Sequence, residues 1–273
     1  MKAILWDLDG TIINSEEGVT KCVQYALRAH GIDEPDLEKL KCFIGPPLGV
    51  MYREKYHMSE EEAWQAVIHY RERFDVAGIF ECCLYDGVKE TIISLKKKGY
   101  FQALASSKPE TACRRILAHF GLTEYFDEIV GATLDGSIST KREVLEELGR
   151  RLKDREFSKQ EICLIGDTKY DAAGAKEYGI RPIGVSYGFG TREEQLAAGA
   201  EAVFDRIGEV ERYIDNDKCL LSVADDLPGG HLLCGVGPGV FRTGGGDGSG
   251  GFGLYAAADD LRRGDAALSL DFL

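Results

Sequence analysis

The sequence lacks several features that would assign it to other classes of protein. It has no uninterrupted apolar run near the roughly 20 residues that a membrane span needs, so a transmembrane protein is excluded. Its N-terminus has neither the basic start nor the small-residue cleavage site of a signal peptide, so a cytoplasmic location is expected. The eight cysteines form no CxxC pair, so a zinc cluster has no support and reduced thiols are expected.

Positive charge is also scarce. The 33 Lys and Arg are outnumbered by 46 Asp and Glu, which leaves a net charge of −13. Such a surface repels phosphate backbones, so neither nucleic acid nor an anionic membrane is expected as a partner, although a local basic pocket is compatible with it. The 273 residues, 44% hydrophobic and 29% charged, suffice for one large or two modest globular domains.

Apolar runs of strand length alternate with helical patterns along much of the chain. Strands are predicted at residues 2–8, 100–105, 128–131, 161–165 and 181–185, most of them followed by a helical period. This rhythm predicts an α/β fold, a doubly wound parallel sheet with helices on both faces.

The interval between the first two predicted strands is too long for one crossover helix. It contains helical patterns at 16–30 and 59–75, interrupted by Ile44-Gly45-Pro46-Pro47. We therefore predict an inserted helical cap domain at residues 15–80, with the α/β core formed by 1–14 and 81–216.

The composition changes abruptly near residue 217. Residues 217–273 hold 13 of the 33 glycines and no glutamate. Such a segment buries too little apolar area to offset its ordering entropy, so a disordered tail is predicted, with at most a weak helix around 256–263. Its composition also fits a shifted reading frame, a fused segment or an added interaction segment.

The first chemical signal is Asp7-Leu8-Asp9-Gly10-Thr11, at the end of the first strand. Side chains two apart in a strand share a face, so Asp7 and Asp9 should converge at the carboxyl edge of the sheet, where ligands bind in such folds. Two close carboxylates favour a bound cation or a retained proton.

A second signal is Ser106-Ser107-Lys108-Pro109-Glu110, after the second predicted core strand. Ser107 and Glu110 have the spacing of a capping box, which predicts a helix start there. Ser106 is left free at a strand end beside a helix N-terminus, where an anion can bind.

Two further helix starts carry polar residues. Lys141 lies in the first turn after Thr140, where a cation opposes the helix dipole unless an anion is near; alone, it is interpreted as a solvated lysine. Asp167 and Asp171 follow the fourth strand, and Thr168 with Asp171 again matches a capping box. Acids from two strand ends, without His or Cys, favour Mg2+.

Together these segments resemble the haloacid dehalogenase superfamily of phosphotransferases. Its four motifs correspond to DLDGT at 7–11, Ser106, Lys141 and GDTKYD at 166–171. The resemblance covers residues 1 to about 215. Further segments, FIGPPL at 43–48, LDG at 134–136 and YGFG at 187–190, are similar to the phosphoglycolate phosphatase-like group and its bacterial 5′-nucleotidase-like relatives.

The resemblance implies a mechanism in which Asp7 attacks phosphorus and Asp9 acts as general acid and base. It implies Mg2+ held by the Asp7 side chain, the Asp9 backbone carbonyl and Asp167, with Asp171 in support. The implied phosphate-binding residues are Gly10, Thr11, Ser106, Ser107 and Lys141. Because superfamily members that displace halide look different at position 9, Asp9 favours phosphate-ester chemistry.

The predicted function is hydrolysis of a small phosphorylated metabolite, on the pattern of phosphoglycolate phosphatase, with nucleotide 5′-monophosphatase as the alternative. A sugar phosphomutase and a noncatalytic phospho-ligand binding module remain open, as does the choice between monomer and homodimer. The candidate specificity residues in the cap are Ile44, Gly45, Pro46, Pro47, Arg53 and Arg71, together with Leu48 and Arg73. An arginine suits a carboxylate, whereas Phe43, Tyr52 or Tyr56 suits a nucleobase.

Overall fold

The structure is a computed structural model that describes residues 1–155 and 157–225, of which 217–225 are described by their backbone alone. Within this part of the chain, six parallel strands form the main sheet in the order β5-β4-β1-β6-β7-β8. These strands are β1 (Ala3–Trp6), β4 (Phe101–Pro109), β5 (Glu128–Ala132), β6 (Ile162–Gly166), β7 (Arg181–Val185) and β8 (Ala202–Phe204). A two-stranded antiparallel sheet joins β2 (Ile13–Asn14) to β3 (Cys83–Leu84).

Helices cover both faces of the main sheet, as predicted for a doubly wound fold. Alternate residues of β1 enter different cores: Ile4 and Trp6 pack in one, Ala3 and Leu5 in the other. The first core is closed by α4 (Val88–Lys97), α5 (Glu110–His119) and α9 (Ile207–Asp225), the second by α6 (Lys141–Arg151) and α7 (Lys169–Tyr178). α8 (Arg192–Ala198) packs beside α7.

The segment between β2 and β3 is helical. It contains α1 (Glu16–Ala29), α2 (Leu48–Tyr56) and α3 (Glu60–Val76), with 3-10 helices at Leu37–Phe43 and Gly78–Phe80. α3 begins with a capping box in which Ser59 and Glu62 exchange hydrogen bonds. α1 packs against α3 and α2 against α3, and their buried side chains belong to the same apolar core as the first face of the sheet. The assignment of 15–80 as a separate cap domain stays a prediction.

Further 3-10 helices lie at Thr123–Tyr125 and Lys159–Glu161. The predicted strand at 181–185 is found unchanged, and the other predicted core strands shift at their ends by a few residues at most. The very short strands β2, β3 and β8 were not predicted. The helix α9 runs to Asp225 and so passes residue 217, where the tail was predicted to start. The rest of that tail, with the weak helix at 256–263, lies outside the described residues.

A search of the described residues finds no helix both long and apolar enough to cross a bilayer.

Candidate active site

The first two site residues follow the central strand β1. The N–H of Asp7 still donates to the carbonyl of Ile165 on β6 at 2.9 Å, so the sheet pairing itself fixes the backbone at Asp7. Asp7 is buried and Asp9 is partly buried. Both line one cavity, as the alternation along the strand predicted. Gly10 makes the turn behind them at φ +84°, a left-handed value that favours glycine.

Lys141, the first residue of α6, is buried rather than solvated, so that part of the sequence interpretation was wrong. Its ammonium donates to Asp7 Oδ1 at 2.6 Å and to the Ala105 carbonyl at 2.8 Å, and pairs with Asp171 Oδ1 at 2.8 Å. Burial alone would lower the pKa of Lys141, but Asp171 and Asp7 together outweigh it and hold that pKa above its ordinary value. The lysine is therefore a fixed positive charge inside the site.

Three buried carboxylates lie close together here, and two of them, Asp7 and Asp171, pair with Lys141. One oxygen from each of Asp7, Asp167 and Asp171 lies within 4.8 Å of the others. Burial raises the pKa of Asp7 to about 6, against the opposing charge of Lys141 and with the help of Asp171. The pKa of Asp167 is raised well above its ordinary value, first by burial and then by Asp171 and Asp7. One lysine thus leaves the negative charge of the cluster incompletely balanced.

The carboxylate of Asp167 is fixed by hydrogen bonds from a backbone N–H and from a hydroxyl group. Phe189 N–H donates to its Oδ2 at 2.7 Å, and the Thr11 hydroxyl donates to its Oδ1 at 3.1 Å. The close approach requires glycine on both sides, because a Cβ on Gly10 would stand 2.0 Å from Asp167 Oδ2 and one on Gly188 would stand 2.3 Å from it. The segment 187–190 therefore serves as a support for Asp167.

Asp171 combines two contacts. Its Oδ2 accepts from the Thr168 N–H at 3.0 Å at the start of α7, as the capping-box spacing predicted, while its Oδ1 faces Lys141. Thr140 and Glu143 likewise form the predicted capping box at the start of α6. These two caps fix the helix starts that bring Lys141 and Asp171 together.

The start of α5 differs from the prediction. Strand β4 continues to Pro109, with a register shift against β5 between Ser106 and Pro109. Pro109 is the residue before α5, and no side-chain cap is formed there, so the predicted capping box of Ser107 and Glu110 is absent. Ser106 is buried within β4, at the register shift, where its Oγ accepts from the Lys108 N–H at 3.3 Å.

The sequence interpretation missed a lysine in that same segment. The Lys108 ammonium lies 3.0 Å from both carboxylate oxygens of Asp9, and its side chain is only 9% exposed. It also lies 4.9 Å from the centre of the Phe74 ring on α3. Burial alone would lower the pKa of Lys108, but the charge of Asp9 and its hydrogen bonds outweigh that effect. The pKa of Lys108 is therefore held above its ordinary value.

A cavity of about 500 Å³ opens above these groups, between the sheet edge and the inserted helices. Its floor contains Asp7, Asp9 and Lys141, and its wall contains Ser106 and Ser107. Gly10, Thr11 and Asp167 do not line it; they lie behind the floor, where the Thr11 hydroxyl is occupied by Asp167. The volume lies within the range of roughly 300–1,000 Å³ typical of small-molecule sites.

The inserted segment forms the roof of this cavity. Ile44, Gly45, Pro46 and Pro47 all line it, as expected, together with Leu48 and Phe43. The structure does not bring the other two aromatic candidates, Tyr52 and Tyr56, to the cavity surface. Tyr52 is fully buried, with its ring 4.9 Å from that of Phe43.

The three candidate arginines lie in different surroundings, and only Arg71 lines the cavity. Arg71 lines the cavity and has no ion-pair partner among the described residues. Arg53 lies on a neighbouring depression that also touches Glu60 and Glu61, and it does not line the cavity above Asp7. Arg73 forms two hydrogen bonds with Glu81, at 2.6 and 2.9 Å, which occupy its guanidinium.

Three exposed apolar side chains were not predicted at the cavity rim. They are Trp64 at 56% exposure, Leu134 at 58% and Tyr170 at 55%. They come from the inserted helix α3, from the loop after β5 and from the start of α7. Trp64 and Tyr170 give the mouth of a polar-floored cavity two ring surfaces for a planar group.

The acidic cluster fits a hard divalent cation. Its donors are carboxylate oxygens, the ligand type that Mg2+ prefers, and a 2+ charge would supply the balance that Lys141 leaves incomplete. Asp9 contributes no side-chain oxygen to the cluster, so its expected participation through the backbone carbonyl remains a prediction.

Fold and site together define a doubly wound α/β protein with an aspartate-rich active centre at the carboxyl edge of its sheet. The chain belongs to the haloacid dehalogenase-like hydrolase family, whose sequence model matches residues 4–185. A 5′-nucleotidase of Pseudomonas aeruginosa is 46% identical over 195 residues, covering 71% of this chain and 86% of the relative.

Other relatives agree with this assignment. A phosphoglycolate phosphatase of Vibrio cholerae is 26% identical over 216 residues, covering 76% of this chain and 94% of its own. The crystal structure of a predicted phosphatase from Clostridium acetobutylicum superposes with a TM-score of 0.74 at 40% identity, covering 79% of this chain and 98% of that one. The predicted family and fold are thereby confirmed, and the chain is a phosphoric monoester hydrolase.

Proposed function

We propose that this phosphatase hydrolyses a small phosphate monoester with the help of Mg2+, through a phosphoryl group carried on Asp7. The observation that carries the proposal is the cluster of Asp7, Asp167 and Asp171 at and behind the floor of a cavity, with Lys141 paired to Asp7 and Asp171. Asp7 and Asp171 both line this cavity. Asp7 is the one that follows the central strand β1, and Ser106 lines the same cavity.

The reaction has two steps. An Asp7 oxygen attacks phosphorus, and the bond from phosphorus to the alcohol oxygen breaks while protonated Asp9 supplies the proton that the alcohol needs. Water then attacks the phosphoryl group, Asp9 takes its proton, and Asp7 is released as carboxylate with inorganic phosphate. Asp9 lies on the same cavity floor, two residues along the chain, which suits one group for both proton transfers.

Ser106, Ser107 and Lys141 are the groups we assign to the transferred phosphoryl oxygens. The two serines line the cavity wall, and the Lys141 ammonium stands 2.6 Å from Asp7, next to the point of attack. Phosphoryl transfer depends mainly on positioning and charge neutralisation, which these fixed donors provide. Gly10 and Thr11 act from behind, by supporting Asp167.

Asp7 and Asp167, supported by Asp171 and by the backbone carbonyl of Asp9, are the residues that would hold Mg2+. When bound, the cation supplies Lewis-acid neutralisation of the phosphoryl charge. The raised pKa of Asp7 and of Asp167 supports this assignment: burial is the main cause of both shifts, and the charge of neighbouring aspartates adds to them, which a bound cation would offset.

For the substrate we favour a nucleoside 5′-monophosphate over phosphoglycolate. The exposed rings of Trp64 and Tyr170 at the rim suit a nucleobase, and the cavity is large for a two-carbon acid. The relative that is 46% identical carries the name 5′-nucleotidase. Phosphoglycolate is the second candidate, favoured by Arg71, whose unpaired guanidinium lines the cavity and suits a carboxylate.

The test is phosphate release from nucleoside 5′-monophosphates, phosphoglycolate and sugar phosphates, with Mg2+ or with chelator. We expect metal-dependent release that is lost in Asp7→Asn and kept in Asp86→Asn, a matched control at an exposed acid. Interconversion of sugar phosphates without stoichiometric phosphate would indicate a mutase, and binding without turnover would indicate a noncatalytic module. Either result would overturn the proposal.

Two variants separate the substrate candidates. Trp64→Ala should raise KM for nucleoside monophosphates by about tenfold, since stacking on one base is worth roughly 1–3 kcal/mol. Ile68→Ala is the matched control, because Ile68 is an exposed apolar residue of α3 that does not line the cavity. A selective loss of phosphoglycolate turnover in Arg71→Met would favour the second candidate instead.

A further inference from the structure

The pair of Lys108 and Asp9 has no place in the mechanism described so far. Both carboxylate oxygens of Asp9 are engaged by one ammonium at 3.0 Å, in a setting where the lysine side chain is 9% exposed. A buried charge is costly unless it is paired, so this lysine is held to Asp9 by the site itself. Lys141 is paired with Asp7 and Asp171, and so Asp9 has a cation of its own.

The pair also joins two parts of the chain. Lys108 lies at the end of β4, while Phe74 comes from the inserted helix α3 and covers the ammonium with its ring at 4.9 Å. Phe74 and Lys108 both line the cavity, directly beside Asp9. A ring over the cation keeps water off one side of the pair and fixes the ammonium against the helix.

We propose that Lys108 is a positioning residue for Asp9, which orients its carboxylate and stabilises the charge that forms there during proton transfer, with Phe74 closing the pair from the inserted segment. The proposal rests on the function proposed above for Asp9. When Asp9 has given its proton to the leaving alcohol, it is the carboxylate that the structure shows, with both oxygens 3.0 Å from a fixed ammonium. Such preorganised electrostatic stabilisation lowers the barrier of the protonation step.

This role has a signature that a structural lysine or a phosphate-binding lysine lacks. A nitrophenolate leaves phosphorus without needing a proton. An alkoxide is a much poorer leaving group and needs a proton from a general acid. Removing Lys108 should therefore slow alkyl phosphates more than p-nitrophenyl phosphate. The parameter to compare is kcat/KM, because it covers only the steps up to alcohol release and excludes the hydrolysis of the phosphorylated enzyme, which all substrates share.

The experiment measures kcat/KM for a nucleoside 5′-monophosphate and for p-nitrophenyl phosphate in each variant, and reports their ratio. The ratio does not depend on the active fraction of a preparation, so partial misfolding does not disturb it. In Lys108→Met the alkyl phosphate should lose at least about tenfold more than the aryl phosphate, since general acid catalysis contributes typically about a hundredfold or more. Lys108→Arg should recover part of that ratio by keeping the charge.

Two further variants complete the design. Phe74→Leu keeps apolar bulk but removes the ring, and should move the ratio in the same direction by less. Lys98→Met is the matched control, because Lys98 pairs with Glu211 and Asp215 at 2.7 and 2.6 Å outside the cavity, and its ratio should equal that of wild type.

The outcomes are distinguishable. Equal losses on both substrates in Lys108→Met would overturn the proposal and leave Lys108 as a structural or phosphate-binding residue. Asp9→Asn is the reference: if it shifts the ratio and Lys108→Met does not, the positioning role fails while the function of Asp9 stands. If Asp9→Asn leaves the ratio unchanged, the acid role proposed for Asp9 fails, and the role of Lys108 fails with it.

Discussion

At the scale of single residues, the site is organised by an excess of buried negative charge. Asp7, Asp167 and Asp171 lie together, the Lys141 ammonium pairs with Asp7 and Asp171, and a fourth acid, Asp9, pairs with Lys108. Among the described residues, Lys141 is the one lysine paired with this three-aspartate cluster, and it cannot neutralise all three carboxylates. The remaining negative charge must be balanced by bound protons or by a cation. In the function proposed above, a divalent cation supplies that balance.

This imbalance predicts how stability depends on pH in the presence of chelator. The pKa of Asp7 is raised from 3.8 to about 6, so between those values the folded state binds more protons than the unfolded state. Its contribution is therefore fully present below about pH 4 and is lost as pH rises through about 6. The shift corresponds to roughly 3 kcal/mol, which urea unfolding of wild type and Asp7→Asn at several pH values would measure.

Asp7→Asn should have a flatter profile than wild type over that range, because the amide does not titrate. Adding Mg2+ should also remove the wild-type loss on raising pH, since a bound cation favours the ionised carboxylate. Parallel profiles of the two proteins in chelator would contradict the charge balance described for the site.

At the scale of elements, local sequence determined much of the fold and some of the site. Helix starts with a polar cap, at Thr140 and at Thr168, were predicted from spacing alone because a capping box needs only four residues. The same spacing failed at Ser107, where the strand β4 continues through Pro109 with a register shift against β5. Sheet pairing overrode the local signal there, and pairing is a long-range property.

Very short elements escaped for a similar reason. The strands β2, β3 and β8 have two or three residues, too few for a hydrophobic period to appear. The burial of Lys141 was equally hidden, because both carboxylates that pair with it come from other elements. The phosphate-binding role predicted for Lys141 rests on the family resemblance, whereas Lys108 lies outside the recognised motifs and was missed.

The cap of α6 gives a prediction at this scale. Lys141 is the first residue of that helix, so the Thr140 cap also fixes the lysine. Thr140→Ala should cost about 1 kcal/mol of stability, and should lower kcat because the Lys141 ammonium loses its fixed position. Ser59→Ala is a matched control, since it removes the same capping box from α3 without lying on the cavity.

Thermal unfolding and steady-state kinetics of the two variants provide the measurement. Both should lose comparable stability, and the kcat of Ser59→Ala should match that of wild type. Comparable kcat values in the two variants would show that the cap of α6 does not act on the site through Lys141.

At the scale of the whole molecule, the cavity is assembled from regions far apart in sequence. Its floor comes from the end of β1 and the start of α6, its wall from β4, its roof from the inserted segment, and part of its rim from Leu134 and Tyr170. Hydrophobic periodicity identifies the buried face of an element, but it does not show which exposed side chains come to line one cavity. The positions of Trp64, Leu134 and Tyr170 at the rim were therefore not predicted. The loop at 44–48, which does lie on the roof, was named in advance only because a family resemblance singled it out.

The roof should therefore select substrates more than it drives chemistry. Shortening the loop from Ile44 to Leu48 should change the ranking of nucleoside monophosphates, phosphoglycolate and sugar phosphates far more than the rate on p-nitrophenyl phosphate. The measurement is kcat/KM across that panel for wild type and the shortened protein. Losses of equal size on every substrate would contradict a selective role for the inserted segment.

The central claim is that Asp7 carries the phosphoryl group during turnover. It is tested most directly by quenching wild type with acid within the first turnovers and locating the phosphoryl group by peptide mass spectrometry. The account predicts an acyl phosphate on the peptide that contains Asp7, formed in the presence of Mg2+ and absent in Asp7→Asn. Full steady-state turnover with no phosphorylated Asp7 at any quench time, or a phosphoryl group on another residue, would contradict it.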